Sequence, residues 1–529
     1  MFGVRDKDTI CSVSTPNGIG GISVIRVSGQ QALKIVKISI KNPPKMIESH
    51  RVFLANFSNF VTGETIDEVC ITPFLDGKSF TGEEVVEISC HGSPTICQLI
   101  LEQLCEHGAR LAEPGEFTYR AFLNSKLDLV QAESVLSVIH SQSKLSAKLG
   151  LRQLKGELSK ILHEIEDNLL WCLAHIEASI DFSAEDIEIV KDEVLLLKLR
   201  EVEGVVVRLV DSFKTGKIIS DGIQLTLSGL PNVGKSSLMN LFLGTDRSII
   251  SAIPGTTRDV VKEQFLYDGI RYIIADTAGI RSETQDVIEK IGIERTLKEQ
   301  EEAQVNLFLL ELFKERSEKT NEMPFNTTQL EILKKLNLDS TFILLNKADL
   351  ELSTTELSSL RSNWDRAKGR LASLNFSFVD VISFLSTSGI RADSVRVFDF
   401  IVNFVDYLLQ NKYFQDQFLA LKWVFEKVLV CSAADPLSKS VILSAVRSFW
   451  LNDQSAIENI SVSSSRQYNQ LKESMQILSK TIQAIEGGIG HEYIAFDLKE
   501  ALISIQKIIG VVYDDQILDK VFKEFCLGK

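Results

Sequence analysis

Residues 229–240 read GLPNVGKSSLMN, and their reading decides how the middle of this 529-residue chain folds. The segment satisfies the spacing G-x-x-x-x-G-K-[ST] with Gly229, Gly234, Lys235 and Ser236. It follows IQLTLSG (223–229), where Ile223, Leu225 and Leu227 alternate with polar residues, and it precedes the helical pattern SSLMNLFLG. In that context glycines let backbone N–H groups curl around phosphate oxygens, and the helix N-terminus adds its dipole. Lys235 then reaches the β- and γ-phosphates and Ser236 binds Mg2+, with Val233, Gly234 and Ser237 completing the cradle.

Two further strand ends carry matching chemistry. In RYIIADTAG (271–279), Asp276 holds the metal through water and Gly279 offers its N–H to a γ-phosphate, with Thr277 and Ala278 between them. In TFILLNKAD (341–349), Asn346, Lys347 and Asp349 close a third strand. A carboxylate at Asp349 accepts from the N1–H and 2-amino groups of guanine, which adenine does not offer, so the nucleotide is GTP. The base-contacting loop is read at ISFLSTSG (382–389), through Ser383, Phe384 and Leu385, with Phe384 where a small residue is expected. Ile280 cannot orient an attacking water, and no arginine is marked by spacing as a finger. Asn232 either ligates a monovalent cation at the phosphates or caps its turn; the residues alone leave both open.

Working outward, strands and helical patterns alternate from about residue 216 to 410, as in a P-loop G domain with a mostly parallel sheet. Residues 1–120 mix β-branched runs with turns and one helical stretch, an α+β domain. No proline lies between Pro114 and Pro231, and Leu151, Leu154, Leu158, Ile161, Leu162, Ile165, Leu169, Cys172, Leu173 and Ile176 recur on one helical face. Residues 121–215 are therefore the first part of a helical domain, and 465–529 the second part. Residues 411–464 remain an unassigned helical insertion, read as two helices joined at Asp435-Pro436.

Hydrophobic residues at 44% and charged residues at 24% are those of an ordinary soluble protein, with no run long enough to span a bilayer and no signal-peptide pattern in MFGVRDKDTI. A cytoplasmic location follows. The eight cysteines show no CxxC pair, which argues against a zinc site or disulfide framework. HEYIA at 491–495 lacks the second histidine of a zinc motif. The formal charge of -14 repels a polyanion, so any nucleic acid must meet a local patch or a partner's help. Lys144, Lys148, Arg152, Lys155 and Lys160 form one basic run at helical spacing, either a solvated face or a surface for RNA.

GLPNVGKSSLMN, PGTTRD (254–259), DTAGIR, NKAD and FCLGK (525–529) together resemble the tRNA uridine-modifying GTPase family MnmE, also called TrmE. TPNGIGGISVIRVSG (15–29), FTGEEVVEISCHG (80–92) and EPGEFTYRAFLNSKLDLVQAESV (113–135) extend the resemblance to nearly the whole chain. It is expected to fail at about 390–464, where the chain reads as longer than the family. The resemblance implies an N-terminal folate-binding domain that also dimerises, a helical domain and an inserted G domain. It implies a homodimer joined by the flavoprotein MnmG (GidA), which carries FAD, in a heterotetramer or larger. The reaction implied adds an aminomethyl-type group to C5 of the wobble uridine of tRNA, using a 5-formyl or 5,10-methylene tetrahydrofolate. Arg26, Glu87, Lys126 and Lys529 match folate contacts. Asn232, Ser251, the Ile253 carbonyl and Thr256 match a K+ set, Ser236 and Thr257 hold Mg2+, Glu289 positions the attacking water, and Cys526 is the chemical thiol. The alternative is a ribosome-assembly or RNA-binding switch GTPase, which shares the nucleotide motifs without the folate segments or FCLGK; a folate aminomethyltransferase with a regulatory G domain is a third reading.

Overall fold

The computed structural model describes residues 8–181, 191–230, 232–244, 262–275, 304–311, 337–346, 427–451, 461–513 and 515–523, with Phe525 and Gly528. The chain divides into two compact units. One comprises Met1–Ser141, Ser146–Gly216 and Asn459–Lys529; the other comprises Gln142–Leu145 and Lys217–Glu458.

In the first unit, β1 (Ile10–Val13), β2 (Gly20–Ser28), β3 (Ile40–Lys41), β4 (Phe53–Ser58), β5 (Thr65–Phe74), β6 (Val85–Gly92) and β7 (Arg110–Leu111) form a sheet in the order β3-β4-β5-β6-β2-β1-β7. Side chains alternate across the pleat, so Ile25, Val27, Val86 and Ile88 enter a core with residues of α1 (Ala32–Ile38) and α2 (Pro94–Glu106). The same alternation puts Arg26 and Glu87, paired in register, on the opposite face.

Helices α3 (Glu116–Leu123), α4 (Leu129–Ile139), α5 (Lys144–Leu154), α6 (Glu157–Asp181) and α7 (Asp192–Asp221) follow. The single apolar face read from Leu151 to Ile176 is in fact two. Gly156, with φ of +84°, separates α5 from α6, and Leu151 is 46% exposed. From Leu158 onward the expected positions are buried, Ile161 only partly.

The second unit builds a six-stranded sheet from β8 (Ile223–Gly229), β9 (Lys262–Tyr267), β10 (Ile270–Ala275), β11 (Val305–Glu311), β12 (Thr341–Asn346) and β13 (Val428–Val430), in the order β13-β12-β11-β8-β10-β9. All pairings are parallel except that of β9 with β10. Every residue of β12 is buried, as expected of a strand covered on both faces. Helix α8 (Lys235–Leu243) and helix α9 (Leu437–Trp450) contribute Leu238, Phe242, Ile442, Leu443 and Val446 to its core. Residues 411–464 thus differ from the two joined helices expected: they carry the edge strand β13, and at the start of α9 the Asp435 carboxylate accepts from the Leu437 N–H at 3.0 Å.

The chain returns to the first unit in α10 (Ser465–Glu486), α11 (His491–Ile509) and α12 (Asp515–Lys523). Leu478, Ile482, Leu498 and Ile505 complete a core begun by Leu162, Leu169 and Cys172 of α6. The Ser461 carbonyl accepts from Gln153 Nε2 at 2.7 Å, and a Cβ at Gly216 would collide with the Val462 carbonyl. Leu518 and Phe522 of α12, with Phe525, pack on Tyr119, Leu129 and Ala132.

A buried polar network stands beneath that contact. Glu116, its side chain 4% exposed, accepts a bidentate pair from Arg110 at 2.7 and 3.1 Å and a third bond from Arg120 at 3.1 Å. Arg120 also donates to the Asp8 carbonyl and to Glu83. Burial pushes the Glu116 carboxyl up, but the Arg110 bond, the Glu113 N–H and the two guanidinium charges outweigh it and hold the group below the ordinary carboxylate range. A depressed folded value stabilises above the unfolded carboxylate pKa and is lost as pH falls through the folded one. Thermal melts between neutral and acid pH should therefore show Glu116→Gln less stable at neutrality, by about 3–5 kcal/mol, and with a flatter acid limb than wild type. Gly115 has φ of +74°, and a Cβ there would strike the Phe522 carbonyl. Gly115→Val should cost about 1–3 kcal/mol and release α12 to limited proteolysis, with unchanged melting and digestion as the contrary result.

Candidate functional site

The turn after β8 takes the geometry that its glycines were expected to permit. Asn232 sits at φ of +65° and Gly234 at +101°, and α8 starts at Lys235 immediately after. Asparagine is one of the few residues to tolerate the left-handed region. Ser236 and Ser237 are exposed in the first turn, where backbone N–H groups have no partner within the helix. Lys235 Nζ donates to the carbonyls of Gly229 at 2.9 Å and Leu230 at 2.8 Å, so the ammonium is held over its own loop.

Asn346 ties this turn to the rest of the site. It is 1% exposed; its Nδ2 donates to the Val233 carbonyl at 2.8 Å, and its Oδ1 accepts from the Ala433 N–H at 3.0 Å. A Cβ at Gly234 would collide with that amide, so glycine is needed for packing as well as for dihedral reasons. Both carbonyl and amide of Asn346 are therefore used, which leaves no buried group unpaired at the knot. The loop it holds, Cys431 to Ala434, is ordered by Ser432, whose N–H donates to Ser438 Oγ at 2.9 Å and whose Oγ accepts from Ala434 N–H at 3.1 Å. Burial pushes the Cys431 thiol up to about 12, so it serves as a small packed group.

Sequence reasoning missed this loop. Ser383, Phe384 and Leu385, read as the base-contacting segment, lie outside the described residues, and the Ser-Ala pair brought to Asn346 is Ser432-Ala433. The signal was present in VLVCSAAD, a short apolar run ending in Ser-Ala, but three strand residues show too little periodicity to separate strand from helix. Ser251, Ile253, Thr256, Thr257, Asp276, Thr277, Ala278, Gly279, Glu289, Lys347, Asp349, Cys526 and Lys529 also lie outside the described residues.

In the first unit Arg26 and Glu87 meet each other. Arg26 donates from Nε at 3.1 Å and Nη2 at 2.8 Å to a single carboxylate oxygen of Glu87. The guanidinium lies 5.6 and 5.7 Å from the rings of Phe80 and Phe117. Lys126 is exposed, with its Cε beside Gly82 in the loop between β5 and β6. The tail passes close by: Ser14 Oγ donates to the Gly528 carbonyl at 3.2 Å, and Ser12, two residues earlier, is in register with Arg26.

The family model described as MnmE helical domain matches residues 129–526, and the one described as GTP-binding protein TrmE N-terminus matches residues 9–126. The chain belongs to the MnmE family. It is 43% identical over 528 residues to the tRNA modification GTPase MnmE of Bdellovibrio bacteriovorus, covering 100% of this chain and 99% of that one. To the MnmE of Flavobacterium johnsoniae it is 34% identical over 532 residues, covering 99% and 100%. To that of Carboxydothermus hydrogenoformans it is 33% identical over 527 residues, covering 99% and 100%. The stretch of about 390–464, expected to exceed the family, falls inside these end-to-end matches to MnmE. Among the described residues no helix is long and apolar enough to cross a membrane.

Removing the Asn346 amide leaves the Val233 carbonyl and Ala433 N–H without their partner. Asn346→Ala should lower stability by about 1–3 kcal/mol and weaken GTP binding at least tenfold, measured by thermal melting and calorimetric titration; wild-type affinity would show that the knot does not shape the site.

Proposed function

We infer that this chain is a GTP-hydrolysing tRNA-modification enzyme that, with a flavoprotein partner, adds an aminomethyl-type group to C5 of wobble uridine from a tetrahydrofolate one-carbon unit. The observation that carries the link between the two chemistries is the Ser14–Gly528 hydrogen bond, which holds the tail beside the strand bearing Arg26. GTP lies in the turn of Asn232, Val233, Gly234, Lys235, Ser236 and Ser237, with Asp349 reading guanine and Ser432–Ala434 bordering the base in place of Ser383–Leu385. The left-handed Asn232, the N–H-lined start of α8 and the Lys235 ammonium suit a phosphate with its cations. Ser236 and Thr257 would hold Mg2+, which would neutralise phosphate charge. Asn232, Ser251, the Ile253 carbonyl and Thr256 would hold K+, which would supply positive charge where no arginine finger is marked. Glu289 orients the attacking water.

On the folate side, Glu87 keeps one carboxylate oxygen outside its bond with Arg26, an acceptor suited to the 2-amino and N3–H groups of a pterin. Phe80, 37% exposed, has the Arg26 guanidinium over its ring, and Lys126 with Lys529 meets the glutamate tail. Homodimers pair through the N-terminal domain and bind MnmG.

Phe525 is 4% exposed, and the Gly528 carbonyl accepts from Ser14 next to β1. Cys526→Ser should lower wobble-uridine modification at least about a hundredfold while GTP hydrolysis stays near wild type. Mass spectrometry of tRNA nucleosides beside a phosphate-release assay checks this, and full modification by the serine variant would remove the thiol from the chemistry.

A further inference from the structure

Between residues 142 and 156 the chain has no Asp or Glu, although its formal charge is -14. Lys148 and Lys155 are exposed and seven residues apart, so they project from one side of the α5 segment. The other side, with Ser146, Leu149, Gly150 and Gln153, is buried. Neither lysine has an ion pair among the described residues, and the neighbouring carboxylates are engaged. Glu157 pairs with Arg152 at 2.8 Å, Glu133 accepts from Arg466 and Gln467 at 2.6 Å each, and Asp128 caps α4 through the Gln131 N–H at 2.8 Å. The positive charge along this face is uncompensated.

The direction of α5 gives that charge a destination. Gly150 lies against Val138 near the end of α4, whereas Gln131 near its start donates to the Leu154 carbonyl at 3.0 Å. The two helices therefore run antiparallel, and Lys155 stands at the end nearest the Asp128 cap, two residues beyond Lys126. Lys148 and Lys155 thus carry their charge along α5 toward the end of α4 that follows Lys126 and the Gly82 loop.

We propose that this exposed face of α5 receives the phosphate backbone of the tRNA and leads its anticodon end toward the Arg26–Glu87 site, an inference that rests on the function given above. Lysine ammonium groups act on phosphates as point charges, and no aromatic ring or bidentate arginine on this face reads bases. Contact here orients the RNA and leaves the choice of nucleotide to the pocket. In an acidic chain, a basic stripe unpaired among the described residues also steers a polyanion toward the surface that bears it.

The experiment measures fluorescence anisotropy of an unmodified tRNA transcript with the full chain across a KCl series, using Lys148→Glu/Lys155→Glu and Lys148→Gln/Lys155→Gln. The reversal variant should bind at least about tenfold more weakly to every tRNA tested. The glutamine variant should lower the slope of log affinity against log salt by about 0.7–0.9 per lysine. Melting temperature and GTP hydrolysis without tRNA should not change. Wild-type affinity and slope in both variants, or no tRNA binding by the wild type, would overturn the proposal. Wobble-uridine modification by the wild type with its flavoprotein partner is scored separately. If it occurs while the variants bind normally, the α5 surface is wrong and the function stands; if it does not occur, the function itself fails.

Discussion

The backbone at Gly216 and Val462 approaches closely enough that no Cβ fits between them. This contact joins the point where the chain leaves the helical core to the point where it comes back, 246 positions later by subtraction of the two residue numbers. Gln153 and Ser212 fasten the returning strand on either side of it, at Ser461 and Val462. A domain can be inserted into a helical bundle without disturbing it only if exit and entry lie together, since the host core must close as though the insert were a loop. Cores that mix Leu169 with Leu498 follow from that closure.

Within the second unit a single side chain has a comparable role. Asn346 bonds to both the turn after β8 and the loop after β13, so three strand ends reach a common point with their polar groups paired. In a buried setting a half-paired amide costs more than an apolar residue, and the complete pairing explains how a polar group is tolerated at the end of a strand otherwise filled by Phe342, Ile343, Leu344 and Leu345. In the other unit the Arg110–Glu116–Arg120 network follows the same rule with charges.

Elements whose chemistry is local were legible in the sequence. Alternation at Ile223, Leu225 and Leu227 marked β8, and the recurrence from Leu158 to Ile176 marked the buried side of α6. Leu151 misled because its spacing fits the same period, whereas Gly156 redirects the axis and turns Leu151 to solvent. The three residues of β13 are too few to show a period, and their strand character comes from the vacant edge of β12. The Glu116 network was illegible for a different reason. Asp8 and Glu83 lie 112 and 37 residues from Arg120, brought to it only by the fold, and nothing in EPGEFTYRAF distinguishes a buried glutamate from a solvated one. At the nucleotide turn the glycines and lysine were readable because backbone geometry alone dictates them; the Ser432–Ala434 loop was not, because its role depends on a contact 87 residues away with Asn346.

The bond between Ser14 and Gly528 spans 514 positions, so the segment after β1 meets one made long after it. On the ribosome, β1 to β7 can pair long before α12 exists, leaving the Tyr119 and Leu129 surface bare until α12 follows. A prematurely terminated chain would expose that apolar surface to chaperones and proteases, and would lack the tail segment that this arrangement brings to the first unit. Synthesis through α12 is thereby built into the closure of this unit, and copies stopped before it carry their own mark for removal.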